Sequence, residues 1–205
     1  MSTAEYPPEP WRLAGQGYLS VWQVPVGELP RLPAGVQPMT LAGRAMVTTA
    51  WIDYQEQGQL AYHELLAAIT VRSGLQPTAT ITEIWVDSEV SLAGGRQLWG
   101  IPKDLADFDF RHGRVFTATA STARDWIATA AFTVRSGPPF PMRGSFTIAQ
   151  RVGDSIKYSQ VGSRALPRAA GANWNINPDG PLGYLAGRRP LLNLHTRDFR
   201  LRFGG

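Results

Sequence analysis

Short segments that alternate apolar and polar residues recur along this chain, with turn-forming residues between them, and that rhythm limits the fold more than any other feature. Thr78–Val86 alternates cleanly and is rich in Thr and Ile, the pattern of a half-buried strand. Four further alternating segments follow in quick succession at 107–111, 114–121, 125–135 and 144–151. His112-Gly113 is a hairpin signal, and Ser136 to Pro141 reads as a Gly/Pro loop. Tyr18–Val24, Leu41–Tyr54, Ser155–Val161, a stretch near Ala165–Ile176 and Leu191–Phe203 have the same character. Residues 1 to 16 read as a Pro-rich tail that Trp11 and Leu13 anchor, and Pro25 to Pro38, with four prolines, as a connection. Tyr62–Val71 is ambiguous: Glu64-Leu65-Leu66-Ala67-Ala68-Ile69 suits a helix, whereas Ile69-Thr70-Val71 suits a strand. Two short helices are expected, one over Glu89–Leu98 behind an Asp87-Ser88 cap and one starting at Pro102. Nine or ten strands with two short helices and tight turns predict a mainly β domain spanning residues 1–205, built as a barrel or sandwich.

Composition removes several classes of function. The absence of cysteine excludes disulfides, thiolate catalysis and thiolate metal sites. Apolar stretches are broken well before the ~20 residues that span a membrane, and the N-terminus lacks a signal-peptide profile, so a cytoplasmic protein without membrane partners is expected. The net charge of +4 is dispersed, Arg188-Arg189 being the densest cluster before the C-terminal strand, which speaks against nucleic acid. His63, His112 and His195 are isolated in sequence, and His63-Glu64 lacks the second histidine of a zinc helix, so no metal is expected. Gly15-Gln16-Gly17 lacks the third glycine and preceding strand of a dinucleotide loop, and serine has no nucleophile elbow.

Lysine is the residue that draws chemistry. Lys103 and Lys157 stand against 18 arginines, and only lysine can shed its proton when buried or placed near positive charge. Lys103 follows Pro102, which would put it in the first turn of a helix, where the partial positive charge disfavours an ammonium. At an ordinary lysine value of ~10.4, about one amine in two thousand is free at pH 7. Lys103 is therefore a candidate nucleophile, or else a solvated lysine beside Asp104.

The run Gly95 to Leu105, Gly-Arg-Gln-Leu-Trp-Gly-Ile-Pro-Lys-Asp-Leu, resembles the signature of the acetoacetate decarboxylase superfamily, a Gly-Arg-Glu, a short spacer, then an aromatic or apolar residue, Pro, Lys, Lys and Leu. The resemblance implies a cone-like antiparallel β-barrel with one or two short helices, favours a strand over Tyr62–Val71, and puts the Schiff-base lysine on Lys103. By the same resemblance the family's second lysine, which helps depress the first, falls on Asp104, whose charge would instead raise the pKa if it faced the same pocket. Tyr54-Gln55-Glu56-Gln57-Gly58-Gln59 is similar to the family's Tyr-x-Glu-x-Gly-Gln segment, so Glu56 is either a pocket carboxylate or a turn residue in water. Arg96 matches the family's Gly-Arg, with a helix-holding or a substrate-facing role. Trp99, Ile101 and Asp104 are the other expected substrate neighbours. A second pocket glutamate and an arginine of the family have no clear counterpart, Gln16 standing in the arginine's region.

The expectation is a lyase-type enzyme forming a Schiff base with a keto acid or other carbonyl compound, by decarboxylation, aldol, dehydration or cyclisation chemistry. It would use no separate cofactor and would be a homo-oligomer. Loss of the second lysine and of the paired acidic and arginine positions argues against authentic acetoacetate decarboxylation. The alternative is a barrel that binds an apolar metabolite and catalyses nothing.

Overall fold

The computed structural model describes residues 5–73, 77–138 and 140–205. Residues 1–4 of the expected tail and Pro139 of the expected loop lie outside them. The elements are β1 (Trp11–Pro25), β2 (Thr40–Leu41), β3 (Arg44–Tyr54), β4 (Tyr62–Thr70), β5 (Thr78–Val86), α1 (Glu89–Trp99), β6 (Lys103–Leu105), β7 (Asp107–Arg111), β8 (Phe116–Ser121), β9 (Trp126–Val134), β10 (Met142–Val152), β11 (Ser155–Ile176) and β12 (Leu192–Phe203). Single 3-10 turns occupy Val26–Glu28 and Gly183–Leu185. The expected strands are present, and β1 is longer than expected, absorbing Trp11 to Gln16 from the supposed tail.

Seven strands run in the order β10-β5-β4-β3-β1-β12-β11, and β11 pairs back with β10 to close the path into a ring. Neighbours in the ring are antiparallel except β5 and β10, which meet in parallel through Thr78–Thr147 and Ala79–Ile148. The exception follows from connectivity: α1, β6 and three further strands separate β5 from β10, and so long a crossover permits a parallel return. The far half of β11 leaves the ring at Ala170 and joins β9, β8 and β7 in a second sheet.

That second sheet lies against the outer face of β1 and β3. Tyr18 of β1 stacks on Phe116 of β8 with ring centroids 3.7 Å apart, and Trp51 of β3 meets Phe110 of β7 and Trp174 of β11. Strands β3 and β4 are therefore buried on both faces. On β4, Leu65, Ala67 and Ile69 enter this outer core. Tyr62, Glu64, Leu66, Ala68 and Thr70 face the ring interior, as the period-two alternation of a strand requires.

The interior is lined by a second apolar cluster that includes Trp11, Leu13, Ile81, Ile84, Trp99, Ile101, Ile148 and Phe199. The Trp11 indole donates to the Pro7 carbonyl at 2.7 Å, and Trp99 donates to Glu9 at 2.8 Å, so the N-terminal segment is strapped across α1. Packing here is tight: a Cβ on Gly94 would sit 2.4 Å from the Trp11 ring. Gly94→Ala should cost about 1–3 kcal/mol of stability through overpacking. Gly162→Ala, where a Cβ meets nothing within 4 Å, should be neutral or stabilising by up to about 1 kcal/mol. Denaturant unfolding of the two variants beside the parent distinguishes these outcomes.

Candidate active site

Helix α1 begins where Ser88, in extended backbone, accepts a hydrogen bond from the Ser91 amide at 3.2 Å. It ends at Gly100, whose φ of 65° is the left-handed conformation that lets a helix stop abruptly. The chain reverses there, and Lys103 enters β6 alongside Ile84 of β5. Lys103 thus follows a helix rather than opening one, and the second expected helix is absent among the described residues. Pro102 sits in a turn too short to wind before β6 pairs with β5.

The geometry of the motif explains its composition. Arg96 donates its Nε to the Lys103 carbonyl at 2.7 Å and reaches the Asp104 carboxylate at 3.8 Å, fixing the backbone just after the lysine α-carbon. Gly95 leaves room for the lysine stem: a Cβ there would lie 2.8 Å from both Cδ and Cε. Lys103 is consequently only 4 % exposed. Its Nζ donates to Glu64 Oε2 at 2.8 Å, to Ser91 Oγ at 2.8 Å and, more weakly, to the Tyr62 hydroxyl at 3.4 Å. The Tyr54 hydroxyl donates to the other Glu64 oxygen at 3.2 Å. A lysine, a glutamate, two tyrosines and a serine, all buried, thus form one connected polar cluster.

The cluster opens on a cavity of about 400 Å³ inside the ring, whose wall is otherwise apolar apart from scattered hydroxyls such as Thr48, Thr70 and Ser163. Burial is the largest influence on the Lys103 ammonium and pushes its pKa down, but the Glu64 carboxylate and the Tyr62 hydroxyl outweigh it and hold the value above that of an ordinary lysine. Burial likewise pushes Tyr62 up, against the pull of Lys103, to about 12. Tyr54 is raised well above the ordinary phenol value by burial and by Glu64. Both phenols therefore remain hydrogen-bond donors at neutral pH.

Of the residues singled out in the sequence, Lys103, Trp99 and Ile101 line this cavity. Asp104 does not: its side chain is 73 % exposed and turned toward Arg96, because successive strand residues point to opposite faces. Arg96 holds backbone and lies outside the lining. Glu56 is exposed in the turn after β3, away from the cavity; the carboxylate beside the lysine is Glu64, two pairs in from the Tyr54–Tyr62 pair that closes that hairpin. Gln16 faces the outer side, where it contacts His112 and His195. Asp53 and Gln16 there gather the three histidines that are scattered in sequence, yet among the described residues no group of three His, Asp or Glu is arranged to hold a metal. Sequence reasoning missed Glu64, Tyr62, Tyr54 and Ser91 as a set. The available signal was a glutamate set in the apolar run after Tyr62, since a charge in a doubly buried strand needs a partner.

Comparison with known proteins bears on the family and the fold. The family model described as acetoacetate decarboxylase matches residues 32–172. No curated protein sequence matches the chain. Among solved structures, the enduracididine biosynthesis enzyme MppR complexed with pyruvate is 18% identical with a TM-score of 0.71, covering 99% of this chain and 91% of that one. Acetoacetate decarboxylase from Legionella pneumophila is 15% identical with a TM-score of 0.70, covering 100% and 88%. An acetoacetate decarboxylase-like enzyme from Sphingomonas wittichii RW1 is 18% identical with a TM-score of 0.63, covering 95% and 91%. At these identities the likeness establishes the fold.

With only two lysines in the chain, their Nζ titrations are resolvable by NMR of lysine-labelled protein. Glu64→Gln should bring the Lys103 value below that of an ordinary lysine, because burial, the largest influence, is then opposed by Tyr62 alone. Asp104→Asn should leave it unchanged. In the parent, the folded-state value is the raised one. The stability contributed by the pair is therefore fully present below the ordinary lysine value and is lost as pH rises through the folded value. Equal Lys103 titrations in parent and Glu64→Gln would refute the pairing.

Proposed function

Because the chain belongs to the acetoacetate decarboxylase family, we propose that it is a lyase-type enzyme whose Lys103 forms a Schiff base with a small carbonyl compound, a keto acid or ketone. The observation that carries this reading is a primary amine buried inside an apolar cavity and hydrogen-bonded to a carboxylate. Such isolation favours imine formation, since the same site that admits a carbonyl excludes bulk water.

The resting ammonium does not forbid the chemistry. Proton transfer from an aqueous ammonium to an aqueous carboxylate costs about 8 kcal/mol, but a dry cavity penalises the separated charges and narrows that gap. Transfer along the 2.8 Å bond to Glu64 frees the amine to attack. The carbonyl carbon–oxygen bond then breaks and the oxygen leaves as water, with protons returned through Glu64. The balance is ammonium plus carbonyl giving iminium plus water, so one cation replaces another beside an unchanged Glu64 carboxylate. The iminium is an electron sink: it can accept the electron pair left by a lost carbon dioxide, or by an α-proton that Glu64 removes. Tyr54, which donates to Glu64, would orient that carboxylate, and Tyr62, which accepts from the amine, would stand beside the departing oxygen. Asp104 stands where the family's second lysine would, and the exposed position of its side chain keeps it from opposing Lys103. No separate cofactor is called for.

A cytoplasmic location and assembly into a homo-oligomer belong to the same reading. For assembly, residues 142–146 of β10 pair with β11 on one side only among the described residues, leaving an edge that a second copy can meet. The reading in which the barrel only binds an apolar metabolite is favoured by one observation, the ammonium form of Lys103 at rest.

Borohydride trapping separates the two. With a panel of ketones and keto acids, the enzyme reading expects a reduced adduct localised by mass spectrometry to Lys103, absent in Lys103→Met. Gly95→Ala, which forces the lysine stem aside, should lower the trapped fraction by about tenfold or more, as angstrom-scale misplacement does in oriented sites. No adduct at Lys103 across the panel would leave the binding-only barrel.

A further inference from the structure

Resting on the Schiff-base reading, we infer that the carbonyl compound taken by this cavity is uncharged and lipophilic, a ketone or aldehyde with an alkyl or aryl body, rather than a keto acid. Among the described residues lining the cavity, Lys103 and Glu64 are the only charged side chains, and they neutralise each other at 2.8 Å. A carboxylate entering with its carbonyl group would add a second negative charge to a site with no second cation. The arginines nearest along the wall strands do not supply one. Arg12, Arg164, Arg200 and Arg202 alternate with residues that face inward, such as Leu13, Ser163 and Leu201, and all four are exposed on the outside of the ring.

The same holds after imine formation. The iminium inherits the ammonium's place and Glu64 still balances it, so a substrate carboxylate would again be the unmatched charge. Burying such a charge costs several kcal/mol, and among the described lining residues only hydroxyls such as Thr48, Thr70 and Ser163 stand elsewhere in the wall to offset it. Shape agrees with charge. A volume of about 400 Å³ corresponds to roughly thirteen waters, space for a body well beyond a three-carbon acid. The walls that would hold that body are Leu19, Ile52, Leu66, Ile81, Phe146 and Phe199. With no carboxylate to lose, the electron sink is spent on removing or adding at the α-carbon: Glu64 takes the α-proton of the iminium and the resulting enamine attacks a second carbonyl or expels a β-hydroxyl as water. Each of these steps conserves electrons and needs no oxidant.

A matched pair of probes tests this, 2-octanone against 2-oxooctanoate, which differ by the carboxylate. Two readouts are taken on the same protein: borohydride adduct at Lys103 by mass, and binding by quenching of tryptophan fluorescence, since Trp11 and Trp99 line the cavity. The expected result is that 2-octanone binds and is trapped about tenfold or more better than 2-oxooctanoate. Equal or better trapping of the keto acid would overturn the substrate class and leave the Schiff-base reading standing. Binding of 2-octanone without trapping would overturn the Schiff base and support the cavity's preference for neutral ligands. Failure of both probes in both readouts would overturn both. Glu64→Gln, which leaves a single ionisable amine in place of a balanced pair, should bring the binding ratio toward unity; a folded variant that keeps the full preference would refute charge balance as its cause.

Discussion

The contact between the Lys103 ammonium and the Glu64 carboxylate is the constraint around which the interior is arranged. Two opposite charges inside a ring of apolar residues survive only if each is paired and its remaining hydrogen-bonding capacity is used. Ser91 and Tyr62 occupy the other sides of the amine, and Tyr54 takes the second carboxylate oxygen. Each comes from a different piece of local structure: Ser91 from the first turn of α1, Tyr54 from the end of β3, Tyr62 and Glu64 from β4, and Lys103 from β6. Removing one partner from such a pair costs about 3–5 kcal/mol, more than a well-packed apolar replacement would. Stability alone therefore gives little reason to keep the pair, which is an argument for a chemical use.

The fold was legible because β structure announces itself by alternation, and alternation fails where a strand is buried on both faces. Thr78–Val86 and 107–111 are read at their observed limits. Tyr62–Thr70 is not readable by period, because its outward residues enter one core and its inward residues the other. The sequence Leu65-Leu66-Ala67-Ala68-Ile69 then presents a continuous apolar run that suits a helix equally well. The break expected between Val161 and Ala165 has no counterpart, since β11 continues through it and changes sheets along its length. Propensity records what each residue favours; it cannot record that one strand serves two sheets.

The candidate site was legible in its lysine and in almost nothing else. Scarcity and the Gly-Arg to Pro-Lys run single out Lys103, and Trp99 and Ile101 follow from their nearness in sequence. Apart from Ser91 of α1, its partners come from strands that are distant along the chain, and only register brings them close: Ile84 lies beside Lys103, and Glu64 beside Val86. Glu56 illustrates the limit of a short motif. It shares a hairpin with Tyr54, but the turn carries it into solvent, while Glu64, eight residues on, returns along the same hairpin to the interior. Assigning Pro102 to a helix start errs for a related reason, since pairing between β5 and β6 claims the lysine before a helical turn can form.

What gives a flexible side chain a fixed place is the frame around it rather than the pair itself. Lysine loses about 2 kcal/mol of rotamer freedom when held in one conformation, and the hydrogen bonds at its tip must offset that. Here the stem is confined as well. Gly95 lets the helix backbone close on Cδ and Cε, and the Arg96 guanidinium anchors the Lys103 carbonyl. A larger residue at 95 would push the stem off, and a shorter one at 96 would loosen the turn that carries it. The motif by which the lysine is recognised is thus mostly scaffolding: its glycine and arginine do not touch the cavity, yet they decide where the amine stands in it. That separation also keeps Asp104 apart from the amine, for it lies on the face of β6 that the frame turns outward, and the charge that balances the amine comes from β4.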